Sequence, residues 1–205
     1  MSARAARLFA KLEDADFYSG LHRAAANLLP SGKPGQSWLD VGCGPGILTR
    51  IAAGKGYVAC GIDRDPDMIE TARRLAAARG SQASFAVSDV ETAAAASGRF
   101  DVVSASSLLV VLPNPAEALR QLVSLTKPGG KVLIIEAGSL MSRARVARLW
   151  LRGRLGKRGW MLLLWASVRS GRVLLEATFD QPGLHINRQS LLTGIVDAWI
   201  VERVW

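Results

Sequence analysis

From residue 36 to residue 136 the chain switches repeatedly between two hydrophobic rhythms. Short, nearly continuous apolar runs at 37–41, 58–63, 84–87, 100–105 and 131–136 read as strands. Between them, 47–55, 66–79 and 114–126 have helical spacing, the last with proline near its start, where a helix tolerates it. Lys127-Pro128-Gly129-Gly130 is composed like a turn. Strands alternating with helices predict βαβ units around a parallel sheet. Runs such as Val132-Leu133-Ile134-Ile135 fit a sheet covered on both faces. The expected class is α/β, a doubly wound and mostly parallel sheet.

The flanks follow other patterns. Residues 3–29 read as helical, with Asp16-Phe17-Tyr18-Ser19-Gly20 as an interruption, and 30–35 as a loop rich in proline and glycine. After Glu136 the alternation breaks. Residues 140–175 are basic, rich in Trp and Leu, and too short for a core of their own. Residues 188–195 read as a short helix and 198–205 as a last strand. The expectation is one domain over 1–205, with a ligand-binding core at 36–136 and a basic insertion at 140–175.

Strand ends carry the chemistry in such a sheet, because ligands bind beyond the carboxyl ends where strand order reverses. The first strand runs into Leu39-Asp40-Val41-Gly42-Cys43-Gly44-Pro45-Gly46 and then a helix. Glycines there bring bare backbone N–H groups close to a ligand, since no Cβ holds it away. A dinucleotide fingerprint needs glycine at its first, third and sixth positions, and Ile47 stands at the sixth. That disfavours a nucleotide-dependent oxidoreductase. Asp63 ends the second strand, about 20 residues beyond the glycines, where an acid can accept two ribose hydroxyls. Asp89 follows the third strand, Ser106 the fourth, and Glu136 ends the fifth. Each acid also has a plainer reading as the cap of the next helix.

These pieces resemble the ordered motifs of the class I S-adenosylmethionine (SAM) methyltransferases, of the ubiquinone-biosynthesis type. LDVGCGPG is similar to their first motif, GIDRDPDMIETAR to the second and SDV to the third. FDVVSASSLLVVLPNP resembles the fourth and LTKPGGKVLIIE the strand-five motif. The resemblance implies SAM as cofactor and S-adenosylhomocysteine (SAH) as product. It implies that Gly42, Cys43 and Gly44 line the methionine and ribose, and that Asp40 supports the methionine ammonium, directly or through water. Asp63 would bind the ribose hydroxyls, and Arg64 and Met68 would flank the adenine. Asp89 and the Val90 N–H would read the adenine edge, and the Ser106 backbone would hold the methionine end. Against the family pattern of a closing antiparallel hairpin, only one clear strand follows residue 185, unless 173–179 supplies another.

The acceptor is less legible. SAM already carries an activated methyl group, so the protein mainly aligns a nucleophile and excludes water. His22 and His185 are the only histidines, each readable as a base or as a structural residue; Tyr18 reads as a cover for the cofactor or as a packing aromatic. The fourth strand ends in SASS, without the Asn/Asp-Pro-Pro-aromatic signature of amino-group methylation. No Pro-Cys pair suggests a cytosine C5 nucleophile, and no cluster suggests a metal site. A small-molecule acceptor remains, with a non-catalytic SAM-binding protein as the rival class.

Charge adds one distinction. Twenty-six Lys and Arg residues face 17 acids, and nine of the cations lie between Glu136 and Glu176, where there is no acid; the net charge of +9 belongs to that segment. Three readings stay open: a lid helix with a solvated arginine face, a helix on an anionic membrane surface, which implies a lipid or quinone-precursor acceptor, and a nucleic-acid contact, the last without any recognised RNA-binding module. Cys43 and Cys60 form no disulfide framework or metal spacing, and no secretory signal is read at the N-terminus. The expected location is cytoplasmic, with peripheral membrane contact under the second reading. Oligomeric state is not legible.

Overall fold

The computed structural model describes residues 9–13, 15–95, 99–156, 159–169, 174 and 176–204. Residues 9–13 are helical and lead to α1 (Asp16–Ala26). Then come β1 (Ser37–Val41), α2 (Ile47–Gly54), β2 (Val58–Asp63), α3 (Pro66–Ala78), β3 (Ser84–Val87), α4 (Val90–Ala95) and β4 (Phe100–Ser106). A 3-10 turn (Leu109–Val111), α5 (Pro115–Ser124), β5 (Thr126–Ala137), α6 (Arg143–Leu151), α7 (Trp160–Arg169), β6 (Leu184–Leu191) and β7 (Val196–Arg203) follow. The strands form one seven-stranded sheet in the order β3-β2-β1-β4-β5-β7-β6. β1 to β5 are parallel, while β7 runs antiparallel to β5 and β6 antiparallel to β7.

Period-two alternation splits the strands between two cores. Trp38, Ala59, Val102, Leu133 and Ile135 face α1, α2 and the α6–α7 segment. Leu39, Val41, Ile62, Val103, Ala105 and Ile134 face α5. Burial of both faces explains the wholly apolar run Val132-Leu133-Ile134-Ile135 in β5. Helix starts have local causes. Asp65 accepts from the Asp67 N–H (3.0 Å) with Pro66 at the first helical position of α3, and Asn114 and Pro115 do the same for α5.

Four expectations need correction. Residues 188–195 are not a helix: 184–191 form edge strand β6, and Leu192–Gly194 is a 3-10 turn. β6 and β7 therefore supply the antiparallel hairpin, and the family pattern is kept. No strand stands at 176–179, where Glu176–Thr178 is a 3-10 turn; residues 173 and 175 lie outside the described residues. Asp16–Gly20 do not interrupt the N-terminal helix but begin α1, and the break falls at Ala15, since Phe17 and Leu21 are buried in the core. Of the 3–29 stretch, residues 3–8 and 14 lie outside the described residues. The turn at 127–130 is absorbed into β5 as an irregularity, where pairing jumps from Phe100↔Thr126 to Val102↔Lys131. One helix, α4, was not anticipated.

Candidate functional site

Strand order reverses between β1 and β4, which places a crevice at their carboxyl ends. Register aligns the residues there. Val41 pairs with Ile62 on one side and with Ala105 on the other, so Gly42, Asp63 and Ser106 come next at one level. Asp63 pairs in turn with Val87, two residues before Asp89. Four strand ends named from the sequence therefore share one edge.

The glycine turn is shaped by three left-handed residues, Gly42 (φ 66°), Gly44 (φ 53°) and Gly46 (φ 86°). Gly46 is also tight: a Cβ there would lie 2.4 Å from the Phe85 ring. At Gly44 the reverse holds, and nothing lies within 4 Å of where its Cβ would stand. That is the bare, open backbone a closely approaching ligand needs. Asp63 fixes this turn to the next strand. Its Oδ2 accepts from the Gly44 N–H (2.9 Å) and its Oδ1 from the Asp65 N–H (2.9 Å), leaving the carboxylate half-buried beside the turn.

Asp40 lies deeper than the crevice. It is buried, with Oδ1 accepting from the Ser104 hydroxyl (2.7 Å) and Oδ2 from the Thr49 hydroxyl (2.8 Å). The Trp38 indole N–H donates to the Ser104 Oγ (2.8 Å). Burial pushes the Asp40 carboxyl up to about 6, against the pull of these hydroxyls. This network ties β1, β4 and α2 together under the turn, so both oxygens of Asp40 have partners inside the protein. Trp38, Thr49 and Ser104 were not anticipated. Their signal was weak: Trp38 and Asp40 share a strand face, Thr49 is an isolated hydroxyl in an apolar helix, and Ser104 opens the SASS strand end with nothing in its spacing that points to Asp40. Cys43 is buried, and burial together with Asp40 and Asp63 raises its thiol pKa, so it is a packing residue rather than a nucleophile.

The residues expected beside the adenine differ in exposure. Arg64 and Asp89 are exposed, Val90 is half-buried at the start of α4, and Met68 is fully buried on α3. Asp89 Oδ1 accepts from the Thr92 N–H (2.7 Å), which caps α4 and lowers the carboxyl's pKa. The capping role is thus realised, and it holds Asp89 at the β3 exit.

At the β4 end, α1 brings Tyr18 and His22 to Ser106. His22 is buried; its Nδ1 lies 2.8 Å from the Tyr18 carbonyl oxygen and its Nε2 3.1 Å from Ser106 Oγ. The Tyr18 ring packs on the imidazole, centroids 4.4 Å apart. Burial lowers the His22 pKa to about 4, so the ring is neutral at ordinary pH. After Ser106, Ser107 takes a left-handed φ of 55°. The buried Glu136 then secures the loop, its Oε1 accepting from the Leu109 N–H (2.7 Å). A second latch holds residues 9–13. Glu13 pairs with Arg50, whose guanidinium also donates to the Pro45 carbonyl of the glycine turn. His185 is not part of this assembly. It is exposed on β6 opposite Glu202, which pairs with Lys131 at the amino-terminal side of the sheet. A cavity of about 270 Å³ opens at that same side, lined in part by Tyr57, Asp101 and Lys131. The Asp101 carboxylate there is already held by Ser37 and Lys127.

Above the sheet, α6 buries Val146 and leaves Arg143, Arg145, Arg148 and Arg152 exposed, with Arg154 following. Arg145 donates to the Thr193 carbonyl (2.8 Å), which docks α6 on the β6–β7 turn. Leu140, Trp150, Leu151 and Trp160 are exposed among these arginines. Lys157, Arg158 and Arg172 lie outside the described residues. Among the described residues no helix is long and apolar enough to cross a membrane, and no group of three His, Cys, Asp or Glu could hold a metal ion.

A family model described as the methyltransferase domain matches residues 9–174. The chain is 36% identical over 115 residues to the ubiquinone biosynthesis O-methyltransferase of Xanthomonas axonopodis pv. citri (strain 306), covering 56% of this chain and 47% of that protein. It is 37% identical over 99 residues to the enzyme of the same name from Vibrio vulnificus (strain YJ016), covering 48% and 42%. The chain thus spans about half the length of the curated relatives it matches. Among solved structures, the plantazolicin methyltransferase BpumL in complex with SAH superposes with a TM-score of 0.66 at 15% identity, over 96% of this chain and 89% of that one. A protein from Methanococcus maripaludis, assigned to the SAM-dependent methyltransferases, gives 0.70 at 16% identity, over 100% and 94%. Both share the fold described above.

Proposed function

The chain belongs to the methyltransferase domain family, and from that premise we propose that it binds SAM in the β1–β4 crevice and methylates a small-molecule acceptor. The observation that carries this reading is the glycine turn. The Gly44 backbone is open, Asp63 stands beside it, and Ser106 lies at the same level one strand away. Gly42 to Gly44 would cradle the methionine and ribose, Asp63 would accept from the ribose hydroxyls, and Asp89 and Val90 would meet the adenine edge, with Arg64 and Met68 beside it. The bound cofactor supplies an electrophilic methyl group. The chain's own residues align the acceptor and keep water out. Asp40 acts here through Thr49 and Ser104, as a brace beneath the turn rather than a direct ligand.

The acceptor we favour is a protonated oxygen nucleophile such as a phenol hydroxyl, by analogy with the relatives named above as O-methyltransferases. The test is transfer of radiolabelled methyl from SAM to a panel of phenols, phosphatidylethanolamine vesicles and RNA. Label in a phenol supports the reading. Tight cofactor binding with no label in any arm contradicts it and favours a non-catalytic SAM-binding protein.

A second reading concerns place. Leu140, Trp150, Leu151 and Trp160 stand exposed among five arginines. Basic side chains interleaved with Trp and Leu suit an anionic lipid surface. We infer peripheral attachment of this cytoplasmic domain through α6, which would present the crevice to an acceptor dissolved in the membrane.

A further inference from the structure

We propose that His22 is a positioning residue that fixes the Ser106 hydroxyl as a hydrogen-bond acceptor for the ammonium group of the bound SAM. The inference rests on the cofactor reading above and assigns one part of that site. It follows from hydrogen-bond polarity. A carbonyl oxygen can only accept, so the 2.8 Å contact with the Tyr18 carbonyl places the imidazole proton on Nδ1. A neutral ring then has only a lone pair at Nε2. The Ser106 hydroxyl, 3.1 Å away, must donate to it. With its hydrogen directed at α1, the Ser106 oxygen has lone pairs alone for the crevice, and it recognises an N–H donor.

Two observations make the ammonium the matching donor. Asp40 is buried beneath the turn with Thr49 and Ser104 on its two oxygens, so the carboxylate expected to receive that group does not front the crevice. Ser106 stands level with Gly42, one strand from the glycine turn. A buried imidazole clamped by the Tyr18 ring adds no positive charge beside a cationic ligand. A protonated ring would repel the ammonium and would force the serine hydrogen back into the crevice.

The experiment is calorimetric titration of the full chain with SAH and with 5′-methylthioadenosine, which lacks the amino-acid end. Wild type is compared with Ser106→Ala, His22→Leu, the double variant and His22→Gln, whose amide oxygen can replace Nε2. A lost hydrogen bond to a charged group is expected to weaken SAH about tenfold in each single variant. The double variant should be no weaker than either, because the two residues act as one unit. His22→Gln should bind SAH within about threefold of wild type, a difference of under 1 kcal/mol. All proteins should bind methylthioadenosine alike. Wild-type affinity for SAH in His22→Leu or Ser106→Ala, or equal losses for both ligands, would overturn the assignment while leaving the cofactor reading intact. Failure of wild type to bind SAH would remove both. If His22→Leu does not fold, the tautomer decides: nitrogen-15 NMR of wild type should show the proton on Nδ1, and a proton on Nε2 contradicts the proposal.

Discussion

Gly46 meets two demands at once: a left-handed φ of 86° at the start of α2, and a contact with Phe85 that leaves no room for a methyl group. Alanine there combines about 1–2 kcal/mol of backbone strain with a clash. Gly46→Ala should therefore lower unfolding free energy by at least about 2 kcal/mol in urea titration; a loss below half of that would show that the Phe85 ring on β3 shifts easily. Asp40 makes a prediction about pH. Its folded pKa is raised to about 6, above the ordinary carboxylate value, so the native state holds this proton more tightly than the unfolded chain. Its contribution is full below about pH 4 and falls as pH rises through 6. Asp40→Asn cannot titrate, so its stability relative to wild type should improve by about 2 kcal/mol between pH 4 and pH 7. A constant difference across that range would mean that Asp40 is not desolvated.

Elements join these residues through contacts between distant segments. The clearest is the latch between Glu13 and Arg50, which are almost wholly buried and bridge residues 9–13 to the glycine turn. Removing Arg50 takes away the short contact of the buried Glu13 carboxylate and leaves the 3.9 Å pairing with Arg79, so Arg50→Met should destabilise the fold by roughly 2 kcal/mol, and adding Glu13→Gln should recover part of the loss. Additive losses in chemical denaturation would show that the pair is not coupled. Such pairings explain what the sequence could and could not reveal. β1, β2, β4 and α3 were legible because burial on both faces and proline-acid caps are local signals. β6 was not. As an edge strand it pairs only with β7, so most of its side chains are exposed and LHINRQSL lacks an apolar run. Its inward positions, Leu184 and Ile186, make sense only once the hairpin exists. The composition of Asp16–Gly20 suggested a break, but burial of Phe17 and Leu21 outweighs that local preference. Likewise Gly42, Gly44 and Asp63 were readable as a spaced motif. The partners of Asp40 and His22 come from other elements and carry no spacing.

The whole molecule is divided electrically: a nearly neutral α/β body carries a basic segment around α6 and α7. If that segment rests on lipid, the protein should float with vesicles containing phosphatidylglycerol. It should be released at about 0.5 M salt, where exposed charges are screened within a few Å. Reversing Arg148 and Arg152 to glutamate should abolish flotation without altering SAH affinity. Equal binding to neutral vesicles, or none to anionic ones, would leave α6 as a lid with a solvated face. Either outcome spares the central claim, that the turn between β1 and α2 and the carboxylate at the end of β2 together hold an adenosyl cofactor. Calorimetry with SAH on wild type and Asp63→Ala tests that claim most directly. The account predicts one site per chain in wild type and an affinity at least about tenfold lower in the variant, since a carboxylate accepting ribose hydroxyls makes charge-assisted hydrogen bonds. Unchanged affinity in a folded Asp63→Ala protein, or no binding by wild type, would contradict it.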